Sequence, residues 1–349
     1  MSERIIKTNE AITEATKQMM AVDQRIFVMG LGVSYKNGAD GTTAGLKALY
    51  PDRVFDVPVS EAGFTAMAVG AAINGLKPVI HHGRVEFALL AADAIFTQAA
   101  KWNYMFGGGS PVPIVIRIAV GRAWGNGPQH TQALYSLFGN VPGLKVVIPS
   151  TAAMAKGLLV SALKEASPVI ILESRWIYGM KQDVPENLYE VPLDKAHVFK
   201  KGDKVTLVAY GDGFVAALEA IEILREQGIT NAVELVDLVS LNPIDHATIA
   251  VSLKKTGRLL CVDTTNGAFG IASEIIAKIA QNKDIKLTTT PASLSCPEVP
   301  CPTSSALTEG YYPTKVDIAN AILNMLGKPP VDRKLSFEEY HTHPGFIVK

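Results

Sequence analysis

The sequence predicts an α/β protein of two domains, each a largely parallel sheet flanked by helices. Three observations carry this. Short, almost wholly apolar runs of strand length alternate with longer helix-like segments, the pattern of strands buried on both faces. A polar, Pro-containing stretch interrupts the alternation past the middle of the chain, and the alternation then resumes. The 349 residues, 48% hydrophobic and 19% charged, are enough for two full cores.

Taken in order, Arg25 to Gly30, Pro78 to Ile80, Pro113 to Arg117, Lys145 to Ile148 and Pro168 to Glu173 read as buried strands. Helices are expected from Ala11 to Met20, Ala62 to Asn74, Ala88 to Tyr104 and Ala153 to Ala166. Gly107, Gly108, Gly109 and Pro111 should stop the third of these sharply. The stretch from Lys181 to Asp203, with Pro185 and Pro192, has the composition of an interdomain linker. Beyond it, strands are expected over Lys204 to Tyr210, Val233 to Leu238 and Arg258 to Asp263, with an amphipathic helix from Phe214 to Gln227 and a closing helix from Asp317 to Leu326. The expected division is a first domain over 1–185, a linker over 186–203, a second domain over 204–328 and a tail over 329–349. The Pro-rich, charged tail should lie over the surface or a neighbouring chain.

Composition narrows the function class. Lys+Arg and Asp+Glu are equal at 33 each, so no overall field favours nucleic acid as a partner. Cys261, Cys296 and Cys301 lack metal-ligand spacing, and an odd count argues against a disulfide framework. No apolar run approaches membrane-spanning length, and Met-Ser-Glu-Arg at the start lacks a signal-peptide core. The expectation is a soluble, cytoplasmic protein without a membrane partner.

Glu61 is the residue that most suggests chemistry. It opens the small, apolar run Phe64-Thr65-Ala66-Met67-Ala68-Val69-Gly70-Ala71-Ala72. As a local signal, Ser60 followed by Glu61 is an ordinary helix start. A lone carboxylate in apolar surroundings is also pushed toward its neutral form or toward a partner with which it shares a proton.

The segments Phe55 to Phe64, Gly75-Leu76-Lys77-Pro78-Val79, Gln98 to Lys101, Pro111 to Val115, Gln129-His130-Thr131-Gln132 and Pro142 to Val147 occur in an order with almost no gaps. Together they resemble the β subunit of the thiamine-diphosphate-dependent 2-oxoacid dehydrogenase E1 enzymes, of pyruvate and branched-chain type, across roughly residues 5 to 325. The resemblance implies a pyrimidine-binding, transketolase-like first domain and a transketolase C-terminal-like second domain. Glu61 stands where the family's acid hydrogen-bonds the aminopyrimidine nitrogen N1′ and so activates the cofactor. Phe87 aligns with the aromatic that packs on that ring, and His130 with a loop histidine that handles protons during acyl transfer.

Several positions depart from the family. His81-His82-Gly83-Arg84-Val85-Glu86 replaces a usual Glu-Phe-Met-Thr-Phe-Asn, Arg122 and Trp124 stand where small residues are usual, and Ser174-Arg175-Trp176 follows Leu172-Glu173. Leu31 stands where the resemblance implies an acid after Gly30, which puts in doubt a carboxylate relay between paired sites. The added groups His81, His82, Arg84 and Arg122 suggest a substrate or acceptor larger or more anionic than pyruvate; equally, they could meet a partner subunit.

Gly211-Asp212-Gly213 begins like a metal-diphosphate motif, but its next asparagine, Asn231, is too close, and the tripeptide falls in the second domain. It reads as a strand-to-helix turn. No other segment supplies diphosphate ligands, so the resemblance implies that Mg²⁺ and the diphosphate are held by an α-type E1 subunit in an α₂β₂ heterotetramer. Ala66 with Gly70 and Gly63 with Ala71 would permit close helix approach there, or within the domain. A lipoyl acyltransferase is a further expected partner. The resemblance also implies a structural K⁺ at Ile114, Ala162, Leu163 and Glu165, the last in place of a shorter Asp. His341-Thr342-His343 is too short a pattern for a metal site. The expected function is decarboxylation of a 2-oxoacid with acyl transfer to a lipoyl domain. Its rivals are half of a split transketolase or a decarboxylating synthase with an aldehyde or sugar acceptor, and a subunit kept for assembly alone.

Overall fold

The structure is a computed structural model that describes residues 4–122, 125–341 and 347–348. The chain divides into two compact units, the first formed by residues 1–122, 137–193 and 345–349, the second by 123–136 and 194–344.

The strands of the first unit are β1 (Ile5–Lys7), β2 (Ile26–Gly30), β3 (Val54–Asp56), β4 (Lys77–His82), β5 (Val115–Val120), β6 (Lys145–Val147), β7 (Val169–Ser174) and β8 (Lys181–Asp183). In space they run β6-β7-β5-β4-β2-β3, every neighbouring pair parallel. All residues of β5 and β7 are buried, which is why their sequences, apart from Arg117, Glu173 and Ser174, are apolar rather than alternating. A small separate sheet pairs β8 with β1 antiparallel and with Ile347–Val348 parallel.

Helices α1 (Thr8–Val22), α2 (Leu46–Leu49), α3 (Glu61–Ile73), α4 (Val85–Ala88), α5 (Ala100–Met105), α6 (Tyr135–Gly139) and α7 (Ala152–Lys164) connect the first-unit strands. Thr151 caps α7, its hydroxyl accepting from the amide of Met154. Lys156, wholly buried on α7, donates to Glu14 on α1 at 2.5 Å and to the carbonyls of Pro185 and Glu186. One ammonium thus ties two helices and the chain after β8.

A continuous helix over 88–104 does not form. After α4 comes a 3₁₀ turn (Leu89–Ala91), then a π-helical stretch (Asp93–Ala99), then α5. Residues 85–105 contain neither Gly nor Pro, so nothing local marks these changes of pitch. The expected stop is present: α5 ends at Met105, and Gly107 and Gly108 take φ of 64° and 85°.

The second unit contains β9 (His197–Lys200), β10 (Val205–Ala209), β11 (Val233–Asp237), β12 (Ser240–Asn242), β13 (Leu259–Asn266) and β14 (Ala292–Cys296). Its main sheet runs β14-β13-β10-β11-β9, parallel except for β9, which lies within the stretch whose composition suggested a linker. Its helices are α8 (Gly211–Glu226), α9 (His246–Thr256), α10 (Ile271–Ala280), α11 (Ser305–Thr308), α12 (Lys315–Met325) and α13 (Phe337–His341). Phe214, Ala217, Ala220, Ile221 and Leu224 of α8 pack with Ile318, Ile322 and Leu323 of α12 over β10, β11 and β13.

Gly211-Asp212-Gly213 forms the strand-to-helix turn. Gly211 has φ of 55°, buried Asp212 accepts from the Thr264 hydroxyl at 2.8 Å, and a Cβ on Gly213 would meet Val262 at 3.2 Å. No helix among the described residues is long and apolar enough to cross a membrane.

Candidate active site

Glu61 is the first residue of α3, after Ser60, and is only 5% exposed. It lies on the helix face that also buries Phe64, Thr65, Ala68, Val69 and Ala72. Among the described residues, none hydrogen-bonds its carboxylate. A carboxyl group so enclosed and so lightly partnered suits proton exchange with a ligand.

His82 secures this helix from behind. Its ring stacks on Phe64, with centroids 5.0 Å apart, and its Nε2 lies 3.2 Å from the Thr65 hydroxyl. Burial pushes its pKa down to about 4. The outer face of α3 has a different character: Ala62, Gly63, Ala66 and Met67 are exposed, with Met67 at 55%. A helix apolar on both faces is a helix that meets something further.

Phe87, half-buried on α4, follows Arg84, the residue that precedes this short helix. Arg84 is also half-buried, and its Nη1 donates to the Gly83 carbonyl at 2.7 Å. His81 is 1% exposed. It faces Arg117 across the β4–β5 register, and Arg117 donates from Nε and Nη2 to the Glu173 carboxylate on β7 at 2.6 and 2.7 Å. The Tyr178 hydroxyl donates to the same carboxylate at 2.7 Å, and Arg175 pairs with Asp40 at 2.8 Å.

Burial opposes the charge on Arg117, but the facing Glu173 outweighs it and holds the guanidinium above its ordinary pKa. Burial, and then the neighbouring Arg117, His82, Arg175 and Arg84, push His81 well below its ordinary value. Arg117 and Glu173 were not among the candidates read from the sequence. Their signal was available as two opposite charges inside strands otherwise apolar but for Ser174.

Arg122, 8% exposed, places its guanidinium 4.3 Å from the ring centroid of Trp176. Two departures from the resembled family are therefore partners of each other. Trp124 lies outside the described residues, as do Thr342 and His343 of the tail; His341 holds the Phe337 carbonyl at 2.9 Å and the Ser305 carbonyl at 3.1 Å.

His130 belongs to the second unit, on a turn where its amide donates to the Gly127 carbonyl at 3.3 Å. Its neighbours Thr131 and Gln132 line a cavity of about 490 Å³ with Asn266, Glu298, Cys301 and Tyr312. The three cysteines are free thiols. Among the described residues no group of His, Cys, Asp and Glu is placed to hold a metal ion.

The residues expected around potassium are met by the chain's own groups. The Leu163 carbonyl accepts from Lys77 Nζ at 2.9 Å, and the Glu165 carboxylate pairs with Lys145 and accepts from the Ala166 amide at 3.0 Å. The carbonyls of Ile114 and Ala162 accept from the amides of Val169 and Glu165. With two ammonium groups supplying the positive charge, this set does not fit a potassium ion.

Residues 4–181 match the family described as transketolase, pyrimidine binding domain, and residues 194–318 match the transketolase C-terminal domain. The chain is 38% identical over 343 residues to the acetoin:2,6-dichlorophenolindophenol oxidoreductase subunit beta of Bacillus subtilis, covering 94% of this chain and 99% of that one. It is 37% identical over 318 residues to the pyruvate dehydrogenase E1 component subunit beta of Rickettsia bellii, covering 91% and 97%. Among solved structures, a split-gene transketolase described as an inactive beta4 tetramer shares the fold with a TM-score of 0.75 at 24% identity, covering 92% of this chain and 98% of that one. With both domains matched, and with this identity over nearly its whole length, the chain belongs to the transketolase-like family that includes the E1 β subunits of pyruvate dehydrogenase.

Proposed function

We propose that the chain is the β-type subunit of a thiamine-diphosphate-dependent 2-oxoacid dehydrogenase E1, active with an α-type subunit in an α₂β₂ assembly. The observation that carries this is Glu61, a carboxyl group almost out of water at the start of α3, within a chain that contains no metal-diphosphate motif of its own. The residues present fit the pyrimidine half of a thiamine site. Thiamine diphosphate, when bound, supplies the carbanion chemistry. Glu61 holds or yields a proton at the ring nitrogen N1′, a role suited to a poorly solvated carboxyl. Phe87 offers an aromatic face to the same ring, and His130 offers an imidazole to the protons moved during acyl transfer. Mg²⁺ and the diphosphate are assigned to the partner subunit. The exposed small-residue face of α3, Ala62, Gly63 and Ala66, supports docking of another subunit beside Glu61. A lipoyl acyltransferase is the proposed acceptor-bearing partner.

Acetoin as the substrate is a second reading, favoured by the name of the Bacillus relative. Co-purification with an α-type subunit, followed by thiamine-dependent turnover of pyruvate and of acetoin, tests both. Turnover of pyruvate with acyl transfer to lipoamide supports the first reading, and acetoin cleavage with dye reduction supports the second. In either case Glu61→Gln should lower turnover by about 10²–10⁴ with the fold intact. Full activity in Glu61→Gln, or in the β chain alone, would refute the proposal.

A further inference from the structure

At the carboxyl ends of β4, β5 and β7 lies a group of buried donors that the reading above does not use. His81 and Arg117 are register partners on the same face of the sheet, 1% and 0% exposed. Arg117 directs Nε and Nη2 to Glu173, and its Nη1 has no protein partner among the described residues. Neither ring nitrogen of His81 has one, and neither does the buried Nε of Arg84. Leaving such groups unsatisfied in the interior is costly. A guanidinium N–H can only donate, so two of the three residues require an acceptor.

The surrounding charges say which kind of acceptor. Arg84, Arg117 and Arg175 are faced by Asp40, Glu86 and Glu173, with the Tyr178 hydroxyl and His82 as the remaining titratable neighbours. The carboxylate oxygens of Glu173 are already taken up by Arg117 and Tyr178, and Asp40 holds Arg175. The set is balanced while His81 is neutral, so an added negative charge is matched if His81 takes up one proton. Arg84 is half-buried, so the group borders solvent on that side, and nothing lies within 4 Å of the point where a Cβ on Gly83 would sit.

We propose that His81, Arg117 and Arg84 form a binding site for a small monovalent anion, a halide or a small carboxylate, which enters together with a proton carried on His81. The site is separate from the helix that bears Glu61. His82, the next residue along β4, points the other way and packs on Phe64 and Thr65 of that helix.

The test is thermal unfolding of the full chain in chloride, formate or gluconate at one ionic strength, at pH 6 and pH 8, with line-broadening of ³⁵Cl NMR as a direct readout. Chloride or formate should raise the melting temperature saturably over the bulkier gluconate, and more at pH 6 than at pH 8. Formate acting without chloride would identify a carboxylate site, and both acting a general one. Arg84→Met, at a half-buried position, should raise the half-saturating concentration about tenfold. His81→Glu supplies a carboxylate beside Arg117 and should remove the response altogether. An equal response in gluconate, a response preserved in Arg84→Met, or one that does not strengthen at pH 6 overturns the proposal and leaves water as the acceptor.

Discussion

The guanidinium of Arg122 lies 4.3 Å from the ring centroid of Trp176, so the residue at the end of β5 and the residue just past β7 close over one another. Both differ from what the resembled family carries, and each accounts for the other. Arg122 is 8% exposed and covered on one side by the indole. A double-mutant cycle with Arg122→Met and Trp176→Leu should give a coupling of about 0.5–2 kcal/mol in denaturant unfolding. Additive single effects would mean that the stack contributes nothing.

The Arg117–Glu173 pair should be the most sensitive point of the first unit. Removing one partner leaves a buried charge without its counter-ion, and Arg117→Met or Glu173→Gln should each cost about 3–5 kcal/mol. Replacing both residues together by apolar ones should recover much of that loss. Equilibrium unfolding of the three variants distinguishes this from simple loss of packing, in which the double replacement would be the worst.

The pH dependence of stability follows from His82. Its folded pKa of about 4 lies below the ordinary 6.5 because burial disfavours the charged ring. The unfolded chain therefore binds the proton first as pH falls. The contribution of neutral His82 is complete above about pH 7 and is lost progressively between the two values, by about 3 kcal/mol. His82→Gln, which can still hydrogen-bond Thr65, should flatten the stability–pH slope between pH 4 and 6.5. An unchanged slope would place its origin elsewhere.

Lys77 and Lys145 make a prediction about salt. Because Leu163 and Glu165 are held by these ammonium groups, exchanging K⁺ for Na⁺ at constant ionic strength should leave the melting temperature within about 1 °C. A larger, potassium-specific rise would show that the ion finds ligands despite the lysines.

His130 is expected to matter after decarboxylation rather than before it. In the assembled enzyme His130→Gln should lower acyl transfer to lipoamide by about 10²-fold or more, while cofactor-dependent decarboxylation, followed with an artificial electron acceptor, is largely retained. Equal loss of both would assign His130 to the first half-reaction or to folding.

Much of the architecture was legible along the chain. β5 and β7 are largely apolar because parallel strands are buried on both faces, and Glu61 announced itself as a carboxylate opening an apolar helix. The breaks at Leu89–Ala91 and Asp93–Ala99 were not legible, since no Gly or Pro marks them. Local patterns also could not reveal that the segment bearing His130 groups with the second unit, because that depends on contacts with residues far along the chain.

By itself the sequence determined which segments become strands and helices and which residue types are available to the site. The tertiary structure decided which charges meet. Arg117 and Glu173 are 56 positions apart and are joined only because β5 and β7 are neighbours in the sheet. His81 and His82 adjoin in the chain, yet successive strand residues point to opposite faces, so one meets Arg117 and the other supports the helix of Glu61. Strand order and side-chain alternation act over distances at which no local pattern carries information.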